Sequence, residues 1–250
     1  IFFNQRKPLI VSWEITKRCN LRCVYCHVWR LQHHVELNTF RVLQLVKKLS
    51  EAGTKMIRFT GGEPLLRDDI SSIINYSNRL NISVAIATNG ILLPQKINEI
   101  KQLDAITLSL EGPEDIHDSI RGLGSHKKAI DDLNIAKIKN IPISLSATLN
   151  SLNLGCVNYL LNIAKYFKVK IFFQPVTKTA LYCEEANPIV PDINLYKKII
   201  LSLIEAKKKN KFIGNSVAAL KHLSFWPDKM AINCVAGKVI CRLDAEGNMA

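Results

Sequence analysis

The chain has 250 residues, a formal net charge of +13 and 48% hydrophobic residues, enough for one large core or for a core with a small appendage. No apolar run reaches the length of a membrane span, and the first ten residues carry Asn4, Gln5, Arg6, Lys7 and Pro8, which excludes a signal peptide. The 7 cysteines are unevenly placed, with three inside one eight-residue stretch, which excludes a secreted disulfide scaffold. The basic residues fall on helical polar faces and helix ends, as in Lys207, Lys208 and Lys209, where the helix dipole favours cations. No aromatic RNP motif or GXXG loop accompanies them, so the charge reads as solvated surface rather than as a nucleic-acid site.

In chain order, an apolar β-rich run over 9–15 leads into Cys19, Asn20, Leu21, Arg22, Cys23, Val24, Tyr25 and Cys26. Three thiolates on one loop can hold three irons of a four-iron, four-sulfur cluster and leave the fourth iron open to a ligand. Two other readings stand beside this one. A zinc site needs a fourth Cys or His ligand, and His27, adjacent to Cys26, is poorly placed to share one tetrahedral ion with it; the alternative is three unrelated core cysteines. His33 and His34 read as solvated loop residues.

A helical period follows through Val42, Leu45, Val46 and Leu49, closed by Gly53. The next β-rich run, 56–60, ends in Gly61, Gly62, Glu63 and Pro64, where the glycines allow close backbone approach and the carboxylate offers an acceptor for an ammonium group. Further runs at 82–88, 105–110, 141–149 and 169–176 alternate with amphipathic segments such as Leu154, Val157, Leu161 and Ala164. Strands separated by such helices predict parallel pairing with helices outside. Thr88 and Asn89 end the third strand, with strand-end turn chemistry as the competing role. Ser109 and Glu111 share one face at the end of the fourth and can meet ribose hydroxyls. The fifth carries Ser144, Ser146 and Thr148 on one face, then Asn150, and Gln174 ends the sixth. Cys156 reads as a small core hydrophobe, and Cys183, beside Glu184 and Glu185, has no visible partner. Pro188 and Pro191 mark a linker. A helix through Tyr196, Ile200 and Leu203, a shorter one over 217–223, Cys234 through Gly237, a strand over 239–243 and a hairpin turn from Asp244 to Gly247 complete the chain.

The cysteine spacing, followed one strand–helix unit later by Gly61 to Pro64, resembles the radical S-adenosylmethionine (SAM) enzyme superfamily. That resemblance implies an α/β fold, a partial (β/α)6 TIM-like barrel with a small C-terminal extension, whose chemistry gathers at the carboxyl ends of the strands. It implies Cys19, Cys23 and Cys26 as ligands of a [4Fe-4S] cluster and Gly61, Gly62, Glu63 and Pro64 as the site of the SAM amino group. Further cofactor contacts are expected from Thr88, Asn89, Ser109, Glu111, Arg121, Ser146 and Thr148. The superfamily usually has Asp where this chain has Glu111, which shifts the reach of the expected ribose contact. Arg121, in the segment with His117, Asp118 and Gly122, is expected to pair with the SAM carboxylate or to form a surface ion pair.

The implied activity is reductive cleavage of SAM to a 5′-deoxyadenosyl radical, which abstracts hydrogen from the substrate. A reductant such as flavodoxin or ferredoxin is implied, and a cytoplasmic location suits an oxygen-sensitive cluster. Residues 1–182 are expected to form the barrel, 183–233 a helical linker region, and 234–250 the start of a SPASM or twitch extension. There Cys234 and Cys241 are expected as ligands of an auxiliary iron-sulfur cluster completed by a cysteine past Ala250, both chain ends reading as cropped. Such a tail tilts the expected substrate toward a peptide or protein, or a tetrapyrrole-type small molecule. The alternative of another class is a non-catalytic iron-sulfur or zinc protein for electron transfer or RNA binding, in which the Gly61 to Pro64 element would have no purpose.

Overall fold

The computed structural model describes residues 7–31, 35–181, 183–228 and 239–249. Seven strands, β1 (Ile10–Thr16), β2 (Met56–Gly61), β3 (Ser83–Thr88), β4 (Ala105–Ser109), β5 (Ile143–Leu149), β6 (Lys170–Pro175) and β7 (Ile240–Leu243), follow the hydrogen-bonded order β6-β5-β4-β3-β2-β1-β7. β1 pairs in parallel with β2 and β7, β2 with β3, and β5 with β6. Parallel strands covered on both faces need apolar runs rather than strict alternation. In β1, accordingly, Val11, Trp13, Ile15, Glu14 and Thr16 are all buried.

Contacts divide the chain into two compact units, the described residues of Ile1–Asn20, Val28–Thr107 and Asn233–Ala250, and Leu21–His27 with Leu108–Ile232. In the first, α1 (Thr39–Glu51) starts at Asn38, whose side chain accepts from the Arg41 N–H at 3.0 Å. Such a cap satisfies one of the orphan donors of the first turn and is worth about 1 kcal/mol. α1 buries Val42, Val46 and Leu49, the expected face, and the chain turns at Gly53 with φ +94°. α2 (Ile70–Arg79) buries Ile70, Ile73, Ile74 and Ser77, and a single turn, α3 (Leu93–Lys96), follows β3.

The sequence predicts six parallel strands; the structure adds a seventh. β7 lies beside β1 in register Val11 to Cys241 and Trp13 to Leu243. The Trp13 indole N–H donates to the Asp244 carbonyl at 3.1 Å. The predicted turn is present: the Asp244 carboxylate accepts from the N–H groups of Glu246 and Asn248 at 3.0 and 2.8 Å, and Leu243 bridges Met249 in antiparallel sense. Cys241 is 4% exposed in this strand, and burial pushes its thiol pKa up. This is the setting of a packing thiol. Cys234 lies outside the described residues, as do His33 and His34.

The second unit holds β5 and β6 with α4 (Glu114–Arg121), α5 (Ser125–Ile138), α6 (Val157–Phe167), α7 (Ile193–Lys207) and α8 (Val217–Leu223). Leu145, Leu149, Leu160, Phe173, Tyr196 and Ile200 form part of one core cluster, each burial of a large apolar side chain contributing about 1.5 to 3 kcal/mol. Asp192 caps α7 through the Leu195 N–H at 2.8 Å, and Ser216 caps α8 through the Ala219 N–H at 3.0 Å.

Candidate functional site

Within the first unit, the loops leaving β1, β2 and β3 are stitched together. The Gly62 N–H donates to the Thr16 carbonyl and the Glu63 N–H to the Arg18 carbonyl, each at 2.8 Å. A Cβ at Gly61, whose φ is +128°, would lie 2.2 Å from the Thr16 oxygen, and one at Gly62 would lie 2.0 Å from the Arg18 oxygen. Both distances are far inside van der Waals contact, so only glycine lets the β2 end press on the residues that lead into Cys19.

Glu63 is fully buried. One carboxylate oxygen accepts from the Leu65 N–H at 3.1 Å and the Thr88 hydroxyl at 2.8 Å, and the other accepts from the Asn89 N–H at 2.8 Å. These partners of the carboxylate tie the turn at Pro64 to the end of β3. Thr88 and Asn89 are joined to Glu63, and the Asn89 amide continues to Asn20 Oδ1 at 2.8 Å, one residue past Cys19. Pro64 opens a short 3-10 turn, Pro64–Leu66, that Glu63 caps. Arg67 was not legible as a site residue. It is 5% exposed, forks onto both Asp69 oxygens at 2.8 and 2.7 Å, and donates to the carbonyls of Ile15 and Leu37 at 3.1 Å, fixing the end of β1.

The second unit holds a buried charged network. Arg121 Nη2 donates to Glu111 Oε1 at 2.6 Å and to the Tyr25 hydroxyl at 2.5 Å, its Nε donates to the same Glu111 oxygen at 3.0 Å, and Tyr25 donates there at 3.0 Å. The Thr148 N–H supplies Glu111 Oε2 at 2.8 Å, while the Asn153 amide ties the carbonyls of Glu111 and Thr148 together at 3.0 Å. Glu111 is fully buried and Arg121 is 9% exposed. The surface ion pair expected as one role of Arg121 is corrected: the pair is buried, and the Nε and Nη2 of Arg121 are engaged by Glu111 and Tyr25. Ser109 and Ser146, half-buried on their strands, are not among the hydrogen-bond partners of this network. Gln174 reaches it from β6, donating to the Thr148 hydroxyl at 3.2 Å.

Cys23 sits at the edge of this network, with Arg121 Nη1 3.9 Å from its sulfur. Burial pushes the Cys23 thiol pKa up while Arg121 pulls it down and Glu111 opposes Arg121. Burial and the Glu111 charge likewise hold the Tyr25 hydroxyl protonated, outweighing Arg121. His117 was named only as part of a segment; its Nδ1 accepts the Glu111 N–H at 3.1 Å, so the proton sits on Nε2. Burial, with the Arg121 charge, depresses its pKa from 6.5 to about 3. Cys156, half-buried at the start of α6, packs against Gly112, where an added Cβ would come within 3.3 Å of it. Cys183 does have a partner: its sulfur is 3.0 Å from His27 Nδ1.

The family model of the Radical SAM superfamily matches residues 13–157. The Fe-coproporphyrin III synthase of Methanosarcina barkeri is 29% identical over 174 residues, covering 67% of this chain and 43% of the synthase. Mycofactocin maturase MftC of Mycobacterium ulcerans is 25% identical, covering 97% of this chain and 67% of the maturase. Among solved structures, Streptococcus suis SuiB bound to S-adenosylmethionine superposes with a TM-score of 0.78 at 15% identity, over 99% of this chain and 61% of SuiB. SuiB bound to its precursor peptide SuiA gives a TM-score of 0.75 at 16% identity, over 98% and 59%. These likenesses bear out the α/β, partial TIM-like barrel fold. The chain spans less than two thirds of the length of the synthase and of SuiB.

Proposed function

The chain belongs to the radical SAM superfamily, and on that footing we propose that it binds a [4Fe-4S] cluster through Cys19, Cys23 and Cys26 and cleaves SAM reductively. The observation that carries the reading is the glycine stitch. Gly61 and Gly62 admit no side chain because they clasp the carbonyls of Thr16 and Arg18, which ties the expected SAM-binding element to the approach of the cluster loop. A plain electron carrier has no need of such a coupling.

The residues present fit both groups. The three cysteines form no disulfide and are soft ligands suited to iron-sulfur clusters, and the guanidinium of Arg121 near Cys23 favours the thiolate that ligation requires. When bound, the cluster would supply the electron for reductive cleavage of SAM and so the means of abstracting a substrate hydrogen. Glu63 acts as a brace, holding the turn at Pro64 and the Thr88–Asn89 strand end in fixed relation, so that backbone polar groups of the Gly61 to Glu63 turn meet the SAM amino group. Asn89 and Asn20 extend that brace to the residue after Cys19. Glu111 positions Arg121 and Tyr25 rather than touching ribose. Thr148 Oγ1, Ser109 and Ser146 are the proposed polar contacts to the nucleoside.

The substrate proposed is a peptide, supported by the likeness to SuiB, whose structure with a precursor peptide shares this fold. A tetrapyrrole is the second reading, supported by the identity with the coproporphyrin synthase. A flavodoxin or ferredoxin is the proposed reductant, and the cytoplasm the proposed compartment, because the cluster needs reducing conditions. Cys234 is retained as the proposed ligand of an auxiliary cluster.

The test is anaerobic reconstitution. The protein should take up about four irons and four sulfides, and with reductant and SAM should release 5′-deoxyadenosine. Changing Cys19, Cys23 and Cys26 together to Ala should abolish both. SAM cleavage surviving in the triple variant overturns the assignment.

A further inference from the structure

We propose that His27, Cys183 and Glu185 form a second metal site that takes a divalent transition metal of the zinc class, distinct from the cluster cysteines. His27 Nδ1, Cys183 Sγ and a Glu185 carboxylate oxygen lie within 4.8 Å of one another. The imidazole nitrogen is 3.0 Å from the sulfur and 3.9 Å from the carboxylate oxygen. Zinc bonds of about 2.0 Å to nitrogen and oxygen and about 2.3 Å to sulfur, at tetrahedral angles, place such ligand atoms roughly 3.3 to 3.6 Å apart. The observed pair of distances brackets that value. A shift of about half an ångström in each closes the site around an ion, and the Glu185 side chain is 64% exposed.

The backbone holds the three residues in place independently of any side-chain contact. Cys26 and Leu181 form a parallel bridge, the His27 N–H donates to the Leu181 carbonyl at 3.1 Å, and Thr179 bridges Ala186 in antiparallel sense. The Ala180 N–H donates to the Glu185 carbonyl at 2.9 Å and the Cys183 N–H to the Ala180 carbonyl at 3.3 Å. The turn carrying Cys183 and Glu185 is therefore closed on itself and clipped to the strand of chain carrying His27. A hydrogen-bonded Cys–His pair alone would not call for a carboxylate converging on the same point. One thiolate, one imidazole and one carboxylate make a borderline-soft donor set suited to zinc, and three protein ligands leave a fourth position for water or a substrate group.

The experiment uses the full chain with its cluster reconstituted anaerobically, dialysed against micromolar zinc, with zinc and iron counted per chain and the zinc K-edge spectrum recorded. We expect about one zinc in addition to the cluster iron, with one sulfur neighbour near 2.3 Å and the remaining neighbours nitrogen or oxygen near 2.0 Å. Cys183→Ser and Glu185→Gln should each lower retained zinc at least about tenfold while cluster iron stays at the wild-type level; that iron count also reports that the variants fold. Wild-type protein that retains no zinc overturns the proposal. So does zinc that enters only as iron leaves, shows two or more sulfur neighbours, or persists unchanged in Cys183→Ser. The readout is independent of SAM cleavage, so failure here and failure of the proposed activity are distinguishable.

Discussion

Replacing Arg121 by Met removes the cation that the buried Glu111 carboxylate holds at 2.6 Å. With Glu111 fully buried and Arg121 9% exposed, solvent cannot substitute for the lost guanidinium. Removing one partner of a buried pair costs about 3 to 5 kcal/mol, because it strands the other charge. Three donors remain on Glu111: the Tyr25 hydroxyl at 3.0 Å, the Thr148 N–H at 2.8 Å and, at the limit of 3.4 Å, the Asn153 amide. They bring the expected loss to the lower end, about 3 kcal/mol. Urea denaturation of the metal-free protein under reducing conditions, followed by circular dichroism, measures it as a fall in midpoint at constant slope. Adding Glu111→Gln should recover about 1 to 2 kcal/mol of that loss, since a neutral amide tolerates burial without a cation. Arg121→Met within about 0.5 kcal/mol of wild type, or two single losses that simply add in the double variant, refutes the reasoning.

Three further outcomes are expected. Glu63→Gln turns an amide N–H₂ toward either the Asn89 N–H or the Leu65 N–H, two buried donors now held at 2.8 and 3.1 Å, so stability should fall by about 1 to 3 kcal/mol, and further in Glu63→Ala; titration of both variants with SAM should show weaker binding with the cluster absorption retained, and unchanged affinity would reduce residues 61–64 to a structural turn. Gly62→Ala drives a Cβ to 2.0 Å from the Arg18 oxygen and should lower SAM affinity and iron retention together, whereas normal values for both would show that the stitch can open at no cost. His117, with a folded pKa of about 3 against 6.5 for the free side chain, takes up its proton only on unfolding across that window. Its contribution is therefore complete above pH 6.5 and declines by about 1.4 kcal/mol per unit as the pH falls toward 3. Denaturation midpoints between pH 7.5 and 4.5 should fall less steeply in His117→Gln, and parallel profiles would contradict the buried neutral imidazole.

The cysteine loop, the Gly61 to Pro64 element and the alternation of strands with helices were legible because each is written in contiguous residues. Spacing along the chain is all that a loop motif or an amphipathic period requires. β7 was not counted in the sheet because its partner, β1, lies some 230 positions away, and no local pattern says which strand a short apolar run will join. The partners of Glu63, Glu111 and Arg121 were not legible for a related reason. Sequence names the charge and the strand end, but whether a carboxylate faces a ligand or the interior depends on which donors the fold brings to it. For Glu63 two of them, the Thr88 hydroxyl and the Asn89 N–H, come from 25 and 26 residues away, and for Glu111 they come from residues as distant as Tyr25 and Thr148. Cys183 illustrates the same limit: a thiol without a neighbour in sequence meets His27 across 156 positions. The sequence thus determined which chemistry the chain can host, through thiolates and glycines at fixed spacing. Only tertiary structure decided which polar groups are spent holding the site together, because burial and long-range hydrogen bonding are properties of the packed chain.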